Sequence, residues 1–257
     1  MENYLLWKDL MRDAATADLV EWWQEIYVYF YQAFIEGNRW VQYFKGVGTT
    51  LMATALALMI GVILGVIVAM IRTAHDQQRP GNKNFLLGIV DRICRIYVTV
   101  IRGTPMMVQL LIMGMVIFSS SRNFTMIGAV TLGINSGAYV AEIIRGGLMA
   151  LDRGQMEAGR SLGLGYVDTM RFIIVPQAFK AVLPALGNEF IVLLKDTSLI
   201  TVIGGKELVN AAQGIYNRTY EQMFPLLGVA TIYLVIVMFL TWLLEILERR
   251  MRQGDRH

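Results

Sequence analysis

Glu189, Lys195 and Asp196 are three ionisable residues inside a long apolar stretch, residues 178–203. Asp196 follows Glu189 by seven positions. Two helical turns put both carboxylates on one face, about 10 Å apart at a rise of about 1.5 Å per residue. Lys195 is one position away, about 100° around the helix. The set suits an amino acid, which offers an ammonium and a carboxylate, and a second cation if it is basic. Asp196 can hold the ammonium, Lys195 the carboxylate, and Glu189 a guanidinium or amine at the far end. Asn188 and Ser198 are polar neighbours. Pairing with a ligand offsets desolvation, since an unpaired charge at bilayer depth is expensive. The competing reading is an internal ion network among these residues, or a pair between Glu189 and Arg102.

Two earlier apolar runs also carry charge. Arg102 opens the RGTP stretch, and Pro105 interrupts its helix by removing a backbone donor and crowding the preceding turn. Arg102 can close a gate along a pathway or pair with an acid such as Glu142. For Glu142 the preferred partner is Arg145, three residues on and on the same helical face.

The elements that must position these residues follow from composition. Of 257 residues, 55% are hydrophobic and 17% charged, against about 25% charged in a soluble domain. That excludes an ordinary water-soluble enzyme and a disordered chain. The formal charge of +3 is too small to indicate nucleic-acid binding. One cysteine and two histidines, His75 in a polar stretch and His257 at the end, leave no disulfide framework and no metal cluster. No cofactor is expected on this chain. No GxxxxGKS or GxxxxGKT occurs, so there is no phosphate-cradling loop. Any ATP-driven step needs another polypeptide, which would hold the ATP and magnesium.

A helix crosses the hydrocarbon core with about 20 mostly apolar residues. Five segments qualify: 48–71, 93–118, 126–149, 178–203 and 223–246. The middle three carry the charges named above, each costing about 2.5–3.5 kcal/mol at bilayer depth on the mildest scale. Those helices should face protein or a water-filled path. Basic residues cluster at 72–95 (Arg72, Arg79, Lys83, Arg92, Arg95), at 145–180 (Arg145, Arg153, Arg160, Arg171, Lys180) and in the tail (Arg249, Arg250, Arg252, Arg256). Residues 1–45 instead hold four Lys/Arg and seven Asp/Glu. The positive-inside rule then puts the N-terminus outside and the C-terminus in the cytoplasm. Within 1–45, LVEWWQEIYVYFYQAF mixes aromatics with acids, as an interfacial helix on the outer leaflet would. The gap pairs Gly61/Gly65 and Gly133/Gly137 permit close helix approach and indicate packing. The expected architecture is an all-α integral membrane protein. An N-terminal extension (1–45) precedes one transmembrane domain (46–250), and residues 251–257 form a cytoplasmic tail.

Between the third and fourth spans, residues 157–176 read EAGRSLGLGYVDTMRFIIVP. Glu157–Leu162 can form a short helix, broken cheaply at Gly163 and Gly165, with Pro176 before the next span. By composition this is a solvated loop; by shape it can dock into another protein. The stretch resembles the EAA signature of prokaryotic ABC-importer permeases, EAA-x3-G-x9-I-x-L-P. Glu157, Ala158, Gly163, Ile173 and Pro176 fall at its spacings, while Gly159 and Val175 depart from it. VIRGTPMMVQL (100–110), GAYVAEIIRGG (137–147), VPQAFKAVLPALGNEF (175–190), LLKDTSL (193–199) and YFKGVGTTL (43–51) are similar to recurrent blocks of the polar amino acid branch. The resemblance covers about residues 43–247.

The resemblance implies a type I ABC-importer permease fold with five spans in the prokaryotic cytoplasmic membrane. It implies a coupling helix in the 155–176 loop, carried here by Glu157, Ala158, Gly159, Gly163 and Pro176. The implied partners are cytoplasmic ATP-binding subunits, a second permease subunit, identical or related, and an extracytoplasmic solute-binding protein. It further implies a pocket halfway across the membrane to which Glu189 and Asp196 contribute, whereas the RGTP segment is packing near the pathway. The implied cargo is a polar amino acid, with Glu189 favouring arginine, lysine or histidine. Glutamine, glutamate, cystine and an ion-coupled secondary carrier are the alternatives.

Overall fold

The computed structural model describes residues 2–13, 16, 19–78 and 84–253, and these form helices with no strand among them. Arg79 and Lys83 of the basic loop, residues 254–257 with Arg256 and His257, and the side chains of Arg153 and Arg252 lie outside the described residues.

Two helices precede the bundle. α2 (Trp22–Phe34) is the aromatic stretch expected at the interface, and α1 (Glu2–Arg12) is an additional helix folded back on it. Tyr4 and Tyr31 have ring centroids 4.2 Å apart, and Trp7 meets Trp23 and Tyr27 edge-on at 5.2 and 5.7 Å. Lys8 pairs with Glu36, which also takes Arg39 at 3.2 Å. Gly37, at φ +62, lets the chain turn there into α3 (Trp40–Asp76). α3 begins earlier than the apolar run at 48, because Tyr43 and Gly46 are buried against the later helix α10.

α4 (Phe85–Gly103) likewise starts before 93. Phe85, Leu86, Ile89, Ile93, Ile96 and Val100 line one exposed face, while Asp91, Cys94 and Val98 are buried on the other. Pro105 ends it, as its sequence predicts. α5 (Met106–Leu111) continues into a π-turn over Ile112–Ile117, and together they are bent by 106° from α4. The span expected at 93–118 is thus broken at the proline expected to interrupt it. The buried amide of Gln109 caps the break, donating to the carbonyl oxygens of Ile101 (2.8 Å) and Thr104 (3.1 Å) and accepting from Asn135 at 3.0 Å.

α6 (Phe124–Met149) is the central helix, with α3 packed along it. The two gap pairs meet in this seam. A Cβ on Gly65 would lie 2.5 Å from Val140, one on Gly133 2.7 Å from Ile60, and one on Gly137 2.9 Å from Leu64. Only glycine permits backbones this close, which supplies the dispersion contact that holds helices together in a lipid environment.

After α6 come two short helices, α7 (Arg153–Ser161) and α8 (Tyr166–Thr169), then a π-turn over Met170–Ile174. α9 (Val175–Asp196) runs into a 3-10 turn over Thr197–Ile203 that Gly204 ends at φ +84. α10 (Leu208–Thr219) and α11 (Met223–Gln253) complete the chain. α11 extends past residue 250, so the expected tail begins as helix.

Among the described residues, α3, α6 and α11 are long and apolar enough to cross a membrane, and the bent α4–α5 pair makes a fourth if counted as one span. α9 carries Lys180, Glu189, Lys195 and Asp196 within 22 residues and does not belong to that set by composition.

Candidate functional site

The charged face of α9 is positioned by the α3–α6 seam. Gly61 on α3 leaves room for Ser136 on α6, since a Cβ there would sit 2.8 Å from the Ser136 hydroxyl. Ser136, fully buried, donates to Glu189 at 2.8 Å. Glu189 is half-buried and makes no ion pair within 4 Å among the described residues. Asp196, the last residue of α9, is also half-buried and makes no ion pair within that distance. Lys195 and Asn188 are exposed, and Ser198 is half-buried in the 3-10 turn.

The structure thus brings Glu189 and Asp196 onto one helix but does not join them with Lys195 into an ion network. Glu189 takes a hydroxyl from α6 and does not pair with Arg102. The neighbouring cleft of about 630 Å³ between α3, α9 and α11 is lined by Leu58, Leu183, Phe190, Leu240 and other apolar residues, with Arg250 its charged member. Neither Glu189 nor Asp196 lines it.

Arg102 and Glu142 share a cleft of about 360 Å³ with Arg72, Arg95 and Arg145, but they do not pair. Glu142 is held by Arg72 and by Arg145, whose Nη2 lies at 2.9 Å, so the expected pair with Arg145 forms and a longer-range one joins it. The guanidinium of Arg102 instead lies over the Tyr139 ring, 5.1 Å from its centroid. Pro105 marks the α4–α5 break and lines no part of this cleft.

Two polar residues at depth escape notice in the sequence. Gln109 repairs the broken helix. Glu207, 2% exposed, caps α10 by accepting from Val209 (2.8 Å) and Asn210 (2.7 Å). Gln109 is a lone polar side chain in an apolar run, a signal that Glu207, next to Lys206, does not give; both bond backbone groups, with Asn135 and Tyr233 as side-chain partners.

The loop between α6 and α9 is built as its glycines suggest. Asp152 caps α7, accepting from Gly154 at 2.8 Å. Gly163, at φ +84, closes it: Gly163 donates to the Arg160 carbonyl and Leu164 to that of Gly159, at 3.0 and 3.1 Å. Gly159 is buried, and a Cβ there would fall 2.6 Å from Thr169. This is why glycine stands where the signature has its second alanine. Glu157 and Ala158 face outward, beside the largely exposed Leu162 and Val167. Tyr166 donates to Gln77 at the end of α3, and Gln177 to Gln155 at 3.3 Å, tying the loop to the bundle. Pro176 stands where the Met170–Ile174 π-turn passes into α9, so its missing N–H falls where the helical hydrogen-bond ladder changes register.

Residues 81–253 match a family model described as the inner membrane component of binding-protein-dependent transport systems. The glutamine transport system permease protein GlnP of Escherichia coli (strain K12) is 36% identical over 212 residues, spanning 81% of this chain and 92% of that protein. A crystal structure of an amino acid ABC transporter with histidines superposes with a TM-score of 0.73 at 40% identity, covering 81% of this chain and 94% of its own. An inward-facing structure of the MetNI methionine ABC transporter shares the fold, with a TM-score of 0.70 at 19% identity over 85% of this chain and 99% of its own.

Proposed function

Because this chain belongs to the family of inner membrane components of binding-protein-dependent transport systems, we propose that it is the permease subunit of an ATP-driven importer for polar amino acids. The observation that carries the reading is Glu189, a carboxylate set between α6 and α9 with a hydroxyl for company and no cation within 4 Å among the described residues. A carboxylate in that position gains most from a ligand that brings its own positive charge. Asp196, on the same helix, offers a second acceptor for an ammonium, and Lys195 a partner for a carboxylate. Cationic amino acids fit this pair of acids best. A second reading, glutamine, is favoured by the name of the Escherichia coli relative.

In this reading five spans, α9 among them, cross the cytoplasmic membrane with the N-terminus outside. Two permease subunits, identical or related, enclose the path, and a solute-binding protein delivers cargo to the outer face. ATP-binding subunits dock on the 155–176 loop, where Glu157, Ala158 and the exposed Leu162 and Val167 form the contact and Gly159, Gly163 and Pro176 shape it. ATP binding draws the coupling helices together and opens the path outward; hydrolysis and product release return it inward. The cargo contributes only its differential affinity for these states. Arg102, Pro105 and Glu142 flank the path.

The test is ATP-dependent uptake by the complete complex in proteoliposomes, with labelled arginine, lysine, histidine and glutamine. Preferred uptake of the cationic amino acids, reduced most by Glu189→Gln, supports the first reading. Preferred uptake of glutamine with an unaltered rate in Glu189→Gln selects the second.

A further inference from the structure

The N-terminal hairpin, the start of α3 and the end of α10 enclose a polar cleft of about 490 Å³. Lys8, Arg12, Arg39 and Arg218 line it against one carboxylate, Glu36. Lys8 and Arg39 share that carboxylate. Arg12 and Arg218 are exposed and make no ion pair within 4 Å among the described residues. Two further acids stand behind the lining: Glu25 and Glu221 both act on Tyr29, and Glu221 accepts from Met223 (2.7 Å) and Phe224 (3.2 Å) at the start of α11. The lining itself, four cations against Glu36, holds a surplus of positive charge. Tyr220, held in the left-handed region at φ +59, adds a phenol to the rim.

The surroundings say what kind of anion this cleft meets. Trp22, Trp23 and Phe30 of α2, and Trp40 and Phe44 of α3, present exposed rings at the same end of the bundle. Such a ring of aromatics is found at the level of lipid headgroups. Guanidinium forks match phosphate oxygens in pairs, and an ammonium adds a point charge. We propose that this cleft binds the phosphodiester headgroup of an anionic phospholipid, with Arg12 of α1 and Arg218 of α10 closing on it from opposite sides. The bound lipid then fastens the hairpin to the bundle. The family match begins at residue 81, so the hairpin that builds most of the site lies outside the matched region.

The experiment is thermal unfolding of the full-length chain in neutral detergent, titrated with phosphatidylglycerol, phosphatidylcholine or inorganic phosphate. Phosphatidylglycerol should raise the Tm and phosphatidylcholine should not. Arg12→Gln/Arg218→Gln should lose more than half of that rise. Arg122→Gln, an exposed arginine outside the cleft, should keep it. If the double variant does not fold, Arg218→Gln alone reads the same loss. Equal responses to the two lipids, or an undiminished rise in the variant, would overturn the proposal. So would a full rise with inorganic phosphate alone, since the occupant would then be a free anion.

Discussion

The hydroxyl of Ser136 on α6 reaches the carboxylate of Glu189 on α9 at 2.8 Å, and it does so because Gly61 on α3 carries no side chain to displace it. Glutamine at 189 keeps an oxygen to accept this bond while removing the charge. Glu189→Gln should therefore fold normally and lose uptake of cationic amino acids by at least about tenfold, or about 1.4 kcal/mol. Uptake of neutral amino acids should fall less. Transport assays with both classes check this, and an equal loss for both removes Glu189 from the specificity site.

The α3–α6 seam predicts a steric result. Leucine at Gly65 would drive its Cβ into Val140, 2.5 Å away, in a place where both partners are helix backbone and stiff side chain. Overpacking of this kind costs about 1–3 kcal/mol. Gly65→Leu should lower the Tm in detergent, and adding Val140→Ala should recover part of the loss. An unchanged Tm would mean the two helices can separate without penalty.

In the loop between α6 and α9, two glycines do different jobs. Gly163→Ala places a Cβ in the left-handed region, at a cost of about 1–2 kcal/mol, and should fray the end of α7. Gly159→Val strikes Thr169 and should push α7 off the turn that supports it. Both variants should insert into the membrane, hydrolyse ATP with the partner subunit and transport poorly. Normal coupling of hydrolysis to uptake in both would separate this loop from energy transfer.

The hairpin carries a pH dependence of known sign. Burial alone would lower the pKa of Lys8, but its hydrogen bond and ion pair with Glu36 outweigh that and hold it above the ordinary 10.5. A lysine whose folded pKa is raised contributes stability that is fully present below its unfolded value and is lost as pH rises through the folded one. Release of α1 by an alkaline-active protease should therefore be slow at neutral pH and quicken above about 10.5. Lys8→Met should be cut fast at neutral pH and show a weaker rise.

Much of this architecture was open to inspection before any coordinate. Apolar length located α3, α6 and α11, because a span must satisfy its backbone internally over a fixed thickness. Pro105 announced the end of α4. Gly163 announced the end of α7, since both act through local backbone geometry. The spacing of Glu142 and Arg145 foretold their pair, which is a property of one helix.

What the chain order leaves undetermined is which separate helices meet. That Arg72 joins Glu142 across 70 positions, that Gly61 makes room for the hydroxyl that finds Glu189, and that Gln109 folds back onto the carbonyls freed at Pro105 all depend on packing between helices. The early start of α3 and the existence of α1 belong here too, because their polar and aromatic residues gain order only from α10 and α2. Residue type and spacing decide what a segment can be. The distance between segments is set by the glycines, buried hydroxyls and ion pairs that only the assembled bundle brings together.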